Sequence, residues 1–317
     1  MAEARGQKAE GKGQNVAVRP LLKWAGGKRQ LLPILRRFYP AQFNRYWEPF
    51  LGSAAVFFDL HERGLLGGRE ATLSDSNPDL IACYRSVRDC PDKVVDELQH
   101  LAREHQRRGS DHYYEVRDLR FNPQRAALAA SAKSGDWIYS PALAAMFIYL
   151  NRTGYNGLFR LNSAGAFNVP AGRYENPRIC DEANLHRVSA ALTQTGITLG
   201  QRCFDTIVDT ARPGDFLYFD PPYAPLSRTA RFTNYTAEGF DVDGQRRLRD
   251  AAIVLARRGC RVAVSNSTAP EIVELYEGSR DVRAAGFHCH RVPARRAINS
   301  NGTRRGVVEE YIITNVR

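Results

Sequence analysis

One carboxylate, two prolines and an aromatic ring stand side by side at Asp220-Pro221-Pro222-Tyr223, directly after the apolar run Asp215-Phe216-Leu217-Tyr218-Phe219. The run has the length and residue types of a buried strand. Prolines fix φ and donate no backbone hydrogen bond, so the strand must stop there. The Pro221 carbonyl is left as an acceptor beside the Asp220 carboxylate, and Tyr223 adds a ring face. Two acceptors next to a stacking plane suit a planar base carrying an exocyclic NH2. A strand that merely ends in a proline-rich turn uses the same four residues, so the rest of the chain has to decide.

Three more residues have the types and surroundings to hold a nucleotide-like ligand. Lys28 follows Gly26-Gly27, and Leu31, Leu32, Ile34, Leu35 and Phe38 follow at helical spacing. Free N–H groups beside an exposed lysine make an anion site, although an ordinary helix start looks the same. Gly52 lies between the short strand Arg45-Tyr46-Trp47-Glu48-Pro49 and a helical stretch, with Ser53 the expected N-cap and Gly64 the expected stop. A strand–glycine–helix unit brings backbone close to a ligand, but a single glycine is a weak signal. Asp75 ends the next strand, Ala71-Thr72-Leu73-Ser74. An acid in that place holds a ribose diol, or else caps the helix that begins near Pro78.

A different chemistry is suggested between residues 151 and 174, where Asn, Gly, Arg and Tyr are interleaved: Asn151-Arg152-Thr153-Gly154-Tyr155-Asn156-Gly157-Leu158-Phe159-Arg160, then Phe167-Asn168-Val169-Pro170-Ala171-Gly172-Arg173-Tyr174. Such a loop can set Arg or Asn on base edges and slide Tyr between bases. Asn156-Gly157 is also a common turn. A polar basic stretch from Arg295 to Arg305 suits phosphates, or is a surface loop. His288-Cys289-His290 is not expected to bind metal, because strand alternation puts Cys289 on the opposite face from both histidines.

The 317 residues carry 45 Lys and Arg against 34 Asp and Glu, a formal charge of +11 that favours a polyanion partner. No apolar run approaches the roughly 18–20 residues of a membrane span. Residues 1–13 lack the apolar core of a signal peptide and read as a disordered tail. The six scattered cysteines form no Cys-x-x-Cys pair, which predicts free thiols in a reducing cytoplasm. Strand and helix patterns alternate up to residue 90. Residues 91–150 then read as helices only, at 91–108, 113–119, 125–132 and 141–150. Alternation resumes with a helix over 182–193, strands at 197–199 and 215–219, a helix over 241–258 closed by Gly259, and strands at 261–265 and 307–314. An α/β fold interrupted by a helical insertion is the expected architecture.

Taken together these motifs resemble the Dam family of DNA adenine-N6 methyltransferases, in the subgroup whose recognition region lies between the cofactor and catalytic motifs. The resemblance is carried, in the family's order, by Leu22-Lys23-Trp24-Ala25-Gly26-Gly27-Lys28, Glu48-Pro49-Phe50-Leu51-Gly52, Asp75, the 151–174 stretch, and Asp220-Pro221-Pro222-Tyr223-Ala224-Pro225-Leu226-Ser227. It covers about residues 20–315. It implies a doubly wound, Rossmann-like methyltransferase sheet with an inserted helical DNA-recognition domain. The expected division is a tail over 1–18, a catalytic domain over 19–90 and 195–317, and a recognition domain over 91–194. The implied cofactor is S-adenosylmethionine, bordered by Trp24 and Lys28, with Phe50 and Gly52 beneath it, Asp75 on its ribose, and Asp220 beside it. Asp220, Pro221, Pro222 and Tyr223 form the implied catalytic set. The implied partner is double-stranded DNA, read at GATC. Tyr155 and Asn156 enter the helix, Leu158 and Pro170 meet the thymine methyl, and Arg160 reads guanine. Lys23 helps at the outer pair, Tyr174 touches the backbone, and Arg173 belongs to the same DNA-binding set. A companion restriction endonuclease acting on the same site fits this family equally with a solitary enzyme. The chain departs from the family at Ala54, where a second glycine is usual, and the extra methyl is expected to tighten the turn. The rival readings are methyl transfer to RNA or to a protein glutamine, and a catalytically inactive DNA-binding relative. The first usually carries Asn at the position of Asp220 and lacks the 155–160 loop.

Overall fold

The apolar run at 216–219 becomes a central strand with every residue buried, as a parallel strand covered on both faces requires. Among the described residues seven strands share one sheet: β1 (Tyr46–Glu48), β2 (Ala71–Asp75), β3 (Ile197–Gln201), β4 (Phe216–Phe219), β5 (Arg261–Ser267), β6 (His288–Arg295) and β7 (Val307–Thr314). Their spatial order is β3-β2-β1-β4-β5-β7-β6. The five strands from β3 to β5 are mutually parallel, and β7 runs antiparallel to both β5 and β6. The computed structural model describes residues 17–24, 26–131, 137–224, 240–295 and 307–316. Most of the basic stretch after Arg295, the residues after Ala224 in the last family motif, Ala25 and nearly all of the tail lie outside these.

Side-chain alternation on β4 divides the interior in two. Phe216 and Tyr218 join a cluster on one face, with Leu73, Leu80, Tyr84 and Leu199. Leu217 and Phe219 join the other, with Leu248, Val262, Tyr276 and Tyr311. The first cluster runs on without a break into the helices after residue 90, through Leu98, Phe147 and Leu185. Helix Pro91–Arg108 buries Val94, Val95, Leu98 and Leu101, the face its periodicity predicts. Helix Pro141–Thr153 is buried from Leu143 through Asn151, which is why its sequence is apolar nearly all round.

At the foot of β4, Asp215 is fully buried and answers Arg45 (2.7 Å), the Trp47 indole N–H (3.0 Å) and the Arg212 amide (2.9 Å). This pins β4 against β1 at the end away from the prolines. Gly64 (φ 67°) and Gly259 (φ 94°) close helices Ala55–Glu62 and Val242–Arg257 in left-handed backbone, as expected. Ser53 does not cap the first of these helices. Its N-cap is Ala54, with φ 55° and ψ 29° and no side-chain hydrogen bond. Left-handed backbone there is a conformation that glycine takes without strain and alanine seldom does.

Candidate active site and nucleic-acid interface

Strand order reverses between β1 and β4, and ligands bind beyond the carboxyl ends of strands at such a switch point. Glu48-Pro49-Phe50 leaves the sheet on one side of that crevice and Asp220-Pro221 on the other. Lys28 is not exposed, contrary to the expectation of an anion site: its side chain is 3% exposed and its Nζ lies 2.7 Å from Asp220 Oδ1. The same ammonium donates to the Gly26 carbonyl (2.5 Å) and stands 4.5 Å from the centroid of the Tyr223 ring. Burial pushes the Asp220 carboxyl up to about 6, with Lys28 pulling the other way. Asp220 is therefore mostly an ionised acceptor at neutral pH, held by the buried Lys28.

The turn after Asp220 is braced from three elements. Gln245 Nε2 donates to the Pro222 carbonyl (2.9 Å), and its Oε1 accepts from Asn266 Nδ2 (2.9 Å). Ser267 Oγ donates to the Ala224 carbonyl (2.8 Å), and Tyr223 Oη donates to Glu310 Oε2 (2.8 Å). Among the described residues nothing donates to the Pro221 carbonyl, so it stays available beside Asp220. Sequence reasoning missed Gln245, Asn266, Ser267 and Glu310. Gln245 left a trace, as a polar residue in line with Leu248, Ala252 and Leu255 on the buried face of its helix.

On the β1 and β2 side, Asp75 accepts from the Gly52 amide (3.0 Å) and the Asn77 amide (3.0 Å). The helix starting at Pro78 is capped by Asn77, whose side chain accepts from Leu80 N (3.2 Å), so the capping alternative for Asp75 does not hold. Gly52 (φ 47°) lies under Trp24, and a Cβ there would meet Trp24 Cδ1 at 3.0 Å. Phe50 stacks on Phe204 (5.3 Å between centroids) and meets Phe240 edge-on at 5.5 Å. Glu48 is 2% exposed and accepts from Tyr46 Oη (2.8 Å) and Phe57 N (3.0 Å). Burial, reinforced by the negative fields of Asp220 and Asp75, pushes its carboxyl up to about 8. The crevice thus gathers aromatic faces, a close-approach backbone turn and three acids around one lysine.

The interleaved stretch forms a hairpin joined by bridges at Gly154–Ala171 and Leu161–Phe167. Asn156 (φ 53°) and Gly157 (φ 64°) make a left-handed turn within its first arm, closed by Leu158 N to Tyr155 O at 3.2 Å, and the hairpin itself reverses between Asn162 and Ala166 (2.9 Å). Tyr155, Arg160, Pro170, Arg173 and Tyr174 are exposed, and Asn156 and Leu158 are half-buried. Lys23 joins them: its Nζ stands 4.0 Å over the Tyr174 ring and donates to the Arg152 carbonyl at 3.2 Å. Arg160 Nε donates to Asn168 Oδ1 (2.8 Å) and its Nη2 to Asn168 O (3.5 Å), which ties the exposed guanidinium to the facing arm of the hairpin. Asn151 accepts from Lys23 N (2.8 Å) and donates to Lys23 O and Gly157 O (2.8 Å each). Every residue expected to meet DNA is therefore on this hairpin or docked to it. The described residues hold no group of three His, Cys, Asp or Glu that could bind a metal, and no helix long and apolar enough to cross a membrane.

A sheet of this kind with an Asp-Pro-Pro-Tyr turn at its switch point defines a Rossmann-like methyltransferase. The family model for D12 class N6 adenine-specific DNA methyltransferases matches residues 24–298, and the chain belongs to that family. Among its relatives, the type II methyltransferase M1.LlaDCHI of Lactococcus lactis subsp. cremoris is 38% identical over 95% of this chain and 96% of its own. The type II methyltransferase M.MjaIII of Methanocaldococcus jannaschii is 37% identical over 93% of this chain and 99% of its own. The DNA adenine methylase of Escherichia coli K12 is 35% identical over 93% and 94%.

Proposed function

We propose that this adenine-specific DNA methyltransferase methylates N6 of adenine at GATC in double-stranded DNA, using S-adenosylmethionine and a flipped-out target base. The observation that carries the reading is the pairing of an ionised Asp220 with an open Pro221 carbonyl beside Tyr223, at the mouth of the β1–β4 crevice. The crevice fits the cofactor: Gly52 has no side chain to fill the space under Trp24, and the Asp75 carboxylate at the strand end suits a sulfonium cation. Trp24, Phe50, Gly52 and Asp75 would hold it. Lys28 and Asp220 border the same space. When bound, S-adenosylmethionine supplies an electrophilic methyl group.

The chain's own residues do the rest. Taking adenine out of the stack costs a few kcal/mol, and stacking on Tyr223 returns roughly 1–3 kcal/mol. Asp220 and the Pro221 carbonyl accept hydrogen bonds from the NH2, which turns the nitrogen lone pair out of ring conjugation. The same acceptors stabilise positive charge as it grows on N6, so no proton has to leave before attack. Arg160 reads guanine on its major-groove edge, and Leu158 and Pro170 read the thymine methyl. Tyr155 and Asn156 enter beside the extruded base, with Lys23 at the outer pair and Arg173 and Tyr174 along the backbone. The protein acts in the cytoplasm, alone or beside an endonuclease that cuts the same unmethylated site.

Plasmid from expressing cells is expected to resist a nuclease blocked by GATC adenine methylation, and labelled cofactor to mark only duplexes containing GATC. Asp220→Ala should abolish transfer while retaining duplex binding. Soluble, cofactor-binding protein that leaves GATC sites unprotected would overturn the site assignment, and near-normal turnover by Asp220→Ala would overturn the mechanism.

A further inference from the structure

The hairpin that carries Arg160 is held from behind by side chains of the helical run that follows residue 109. Asn122, which begins helix Asn122–Ser131, donates from Nδ2 to Phe167 O (3.0 Å) and accepts from Phe167 N at Oδ1 (2.8 Å). One side-chain amide thus stands in for a neighbouring strand. Arg125 Nη1 donates to Gly165 O (2.6 Å). Arg117 Nη1 (3.0 Å) and Tyr113 Oη (2.9 Å) both donate to Val169 O. The backbone of residues 165–169 is therefore fixed at three places, while Arg160 and Pro170 project outward.

Arg125 is not free to move. It is 8% exposed and forks onto Asp79, with Nε to Oδ1 at 2.7 Å and Nη2 to Oδ2 at 2.8 Å, and the Tyr139 hydroxyl donates to Oδ1 as well. Asp79 lies in the first turn of helix Pro78–Asp89, four positions after Asp75. That helix begins where the cofactor strand β2 ends. A buried, two-pronged ion pair fixes direction as well as distance. Its path leads from the end of β2, through Asp79 and Arg125, to the tip of the hairpin.

We propose that Asn122 and Arg125 are positioning residues for sequence discrimination: they set the height and tilt of the 158–170 hairpin relative to the cofactor strand, without touching DNA themselves. The proposal rests on the reading of that hairpin as the DNA reader. A bidentate Arg–guanine contact discriminates only if the guanidinium arrives in plane, so a small tilt at Gly165 and Phe167 reaches Arg160 as lost discrimination.

The test uses the full-length enzyme on paired duplexes, one GATC and one with a single changed pair, at saturating cofactor. Asn122→Ala removes both hydrogen bonds to Phe167 without stranding a charge. It should raise KM for the GATC duplex and lower the ratio of kcat/KM between the two duplexes by roughly tenfold or more. Cofactor affinity and kcat at saturating DNA should stay within about twofold of wild type. Arg125→Lys keeps the cation opposite Asp79 but loses the fork, and it should shift the ratio in the same direction. A lower melting temperature with an unchanged ratio in both variants would overturn the proposal and leave a purely structural role. A wild-type enzyme that does not distinguish the two duplexes would instead overturn the reading of the hairpin.

Discussion

Replacing Lys28 by methionine takes a buried cation away from Asp220, and its effect can be worked from the geometry. In the intact protein the Asp220 carboxyl sits at about 6, raised by burial and held down by an ammonium 2.7 Å away. A neighbouring opposite charge lowers a carboxylate by about 1–3 pH units, so its loss should move the carboxyl to roughly 7–9. At pH 7 the ionised fraction then falls from roughly nine-tenths to between about one-half and one-hundredth. The acid limb of single-turnover methyl transfer, measured from pH 5 to 9 at saturating DNA and cofactor, should move up by at least about one unit. Lys28→Arg, which keeps the charge, should leave that limb near its wild-type midpoint even where the larger head lowers the rate. Stability changes in the matching sense. A carboxyl raised above its ordinary 3.8 contributes stability below that value and loses it as pH rises through about 6, so Lys28→Met should be most destabilising on the alkaline side. An acid limb with the same midpoint in Lys28→Met and wild type would refute the argument that Lys28 keeps Asp220 ionised.

Glu48→Gln should remove a pH-dependent penalty. The carboxyl is raised from 4.5 to about 8, so the stability of the neutral form is present below 4.5 and lost as pH rises through about 8. The interval of about 3.5 pH units sets an upper limit of about 5 kcal/mol. Denaturant melts should find the variant more stable than wild type at pH 9 and level with it at pH 5, and a constant difference across that range would contradict the assignment. Ala54→Gly relieves a left-handed alanine, worth about 1–2 kcal/mol. It also gives up a buried methyl worth about 0.8 kcal/mol and loosens the unfolded chain. Its melting point should therefore stay close to wild type, and a loss above about 2 kcal/mol would mean the methyl, not the backbone, governs this turn. Gln245→Leu leaves the Pro222 carbonyl and Asn266 without their partner. The expected result is a fall in kcat of tenfold or more with cofactor affinity unchanged, and unaltered kcat would exclude a positioning role.

The parts legible in the sequence are those governed by local pattern. Helix Pro91–Arg108 and strand Val307–Thr314 follow the predicted bounds, because periodic apolar spacing and a glycine or proline at the edge determine both. The Asp220 turn was legible because two prolines leave the backbone few alternatives. Ser53 is not the cap its residue type suggests, because the chain turns through Ala54 in a conformation that alanine seldom takes. The burial of Lys28 is not legible locally, because its ion pair with Asp220 joins residues far apart in the chain. The same holds for Gln245 and Glu310, which reach the turn from a helix and a strand late in the chain. Strand β6 shows in the sequence only as the alternation of His288, Cys289 and His290, because its proline and arginines mask a strand pattern further on.

One short segment ties these separate parts into a working geometry. Arg152 donates to Leu21 O (2.6 Å) and Asn151 holds Lys23 by both its N–H and its carbonyl, so the segment begins fixed to the base of the hairpin. Next, Trp24 lies across Gly52 and stacks on Phe159 (6.0 Å), which sets the segment against the proposed cofactor turn. A turn closed by Gly27 N to Trp24 O (3.0 Å) then delivers Lys28 to Asp220. The hairpin, the Gly52 turn and Asp220 are thus positioned by eight residues, none of them in a regular helix before Lys28. A regular helix would present one face to one neighbour, whereas this segment has to present Lys23, Trp24 and Lys28 to three. Its glycines follow from that requirement: Gly26 takes φ 79°, which lets the chain reverse between the tryptophan and the lysine.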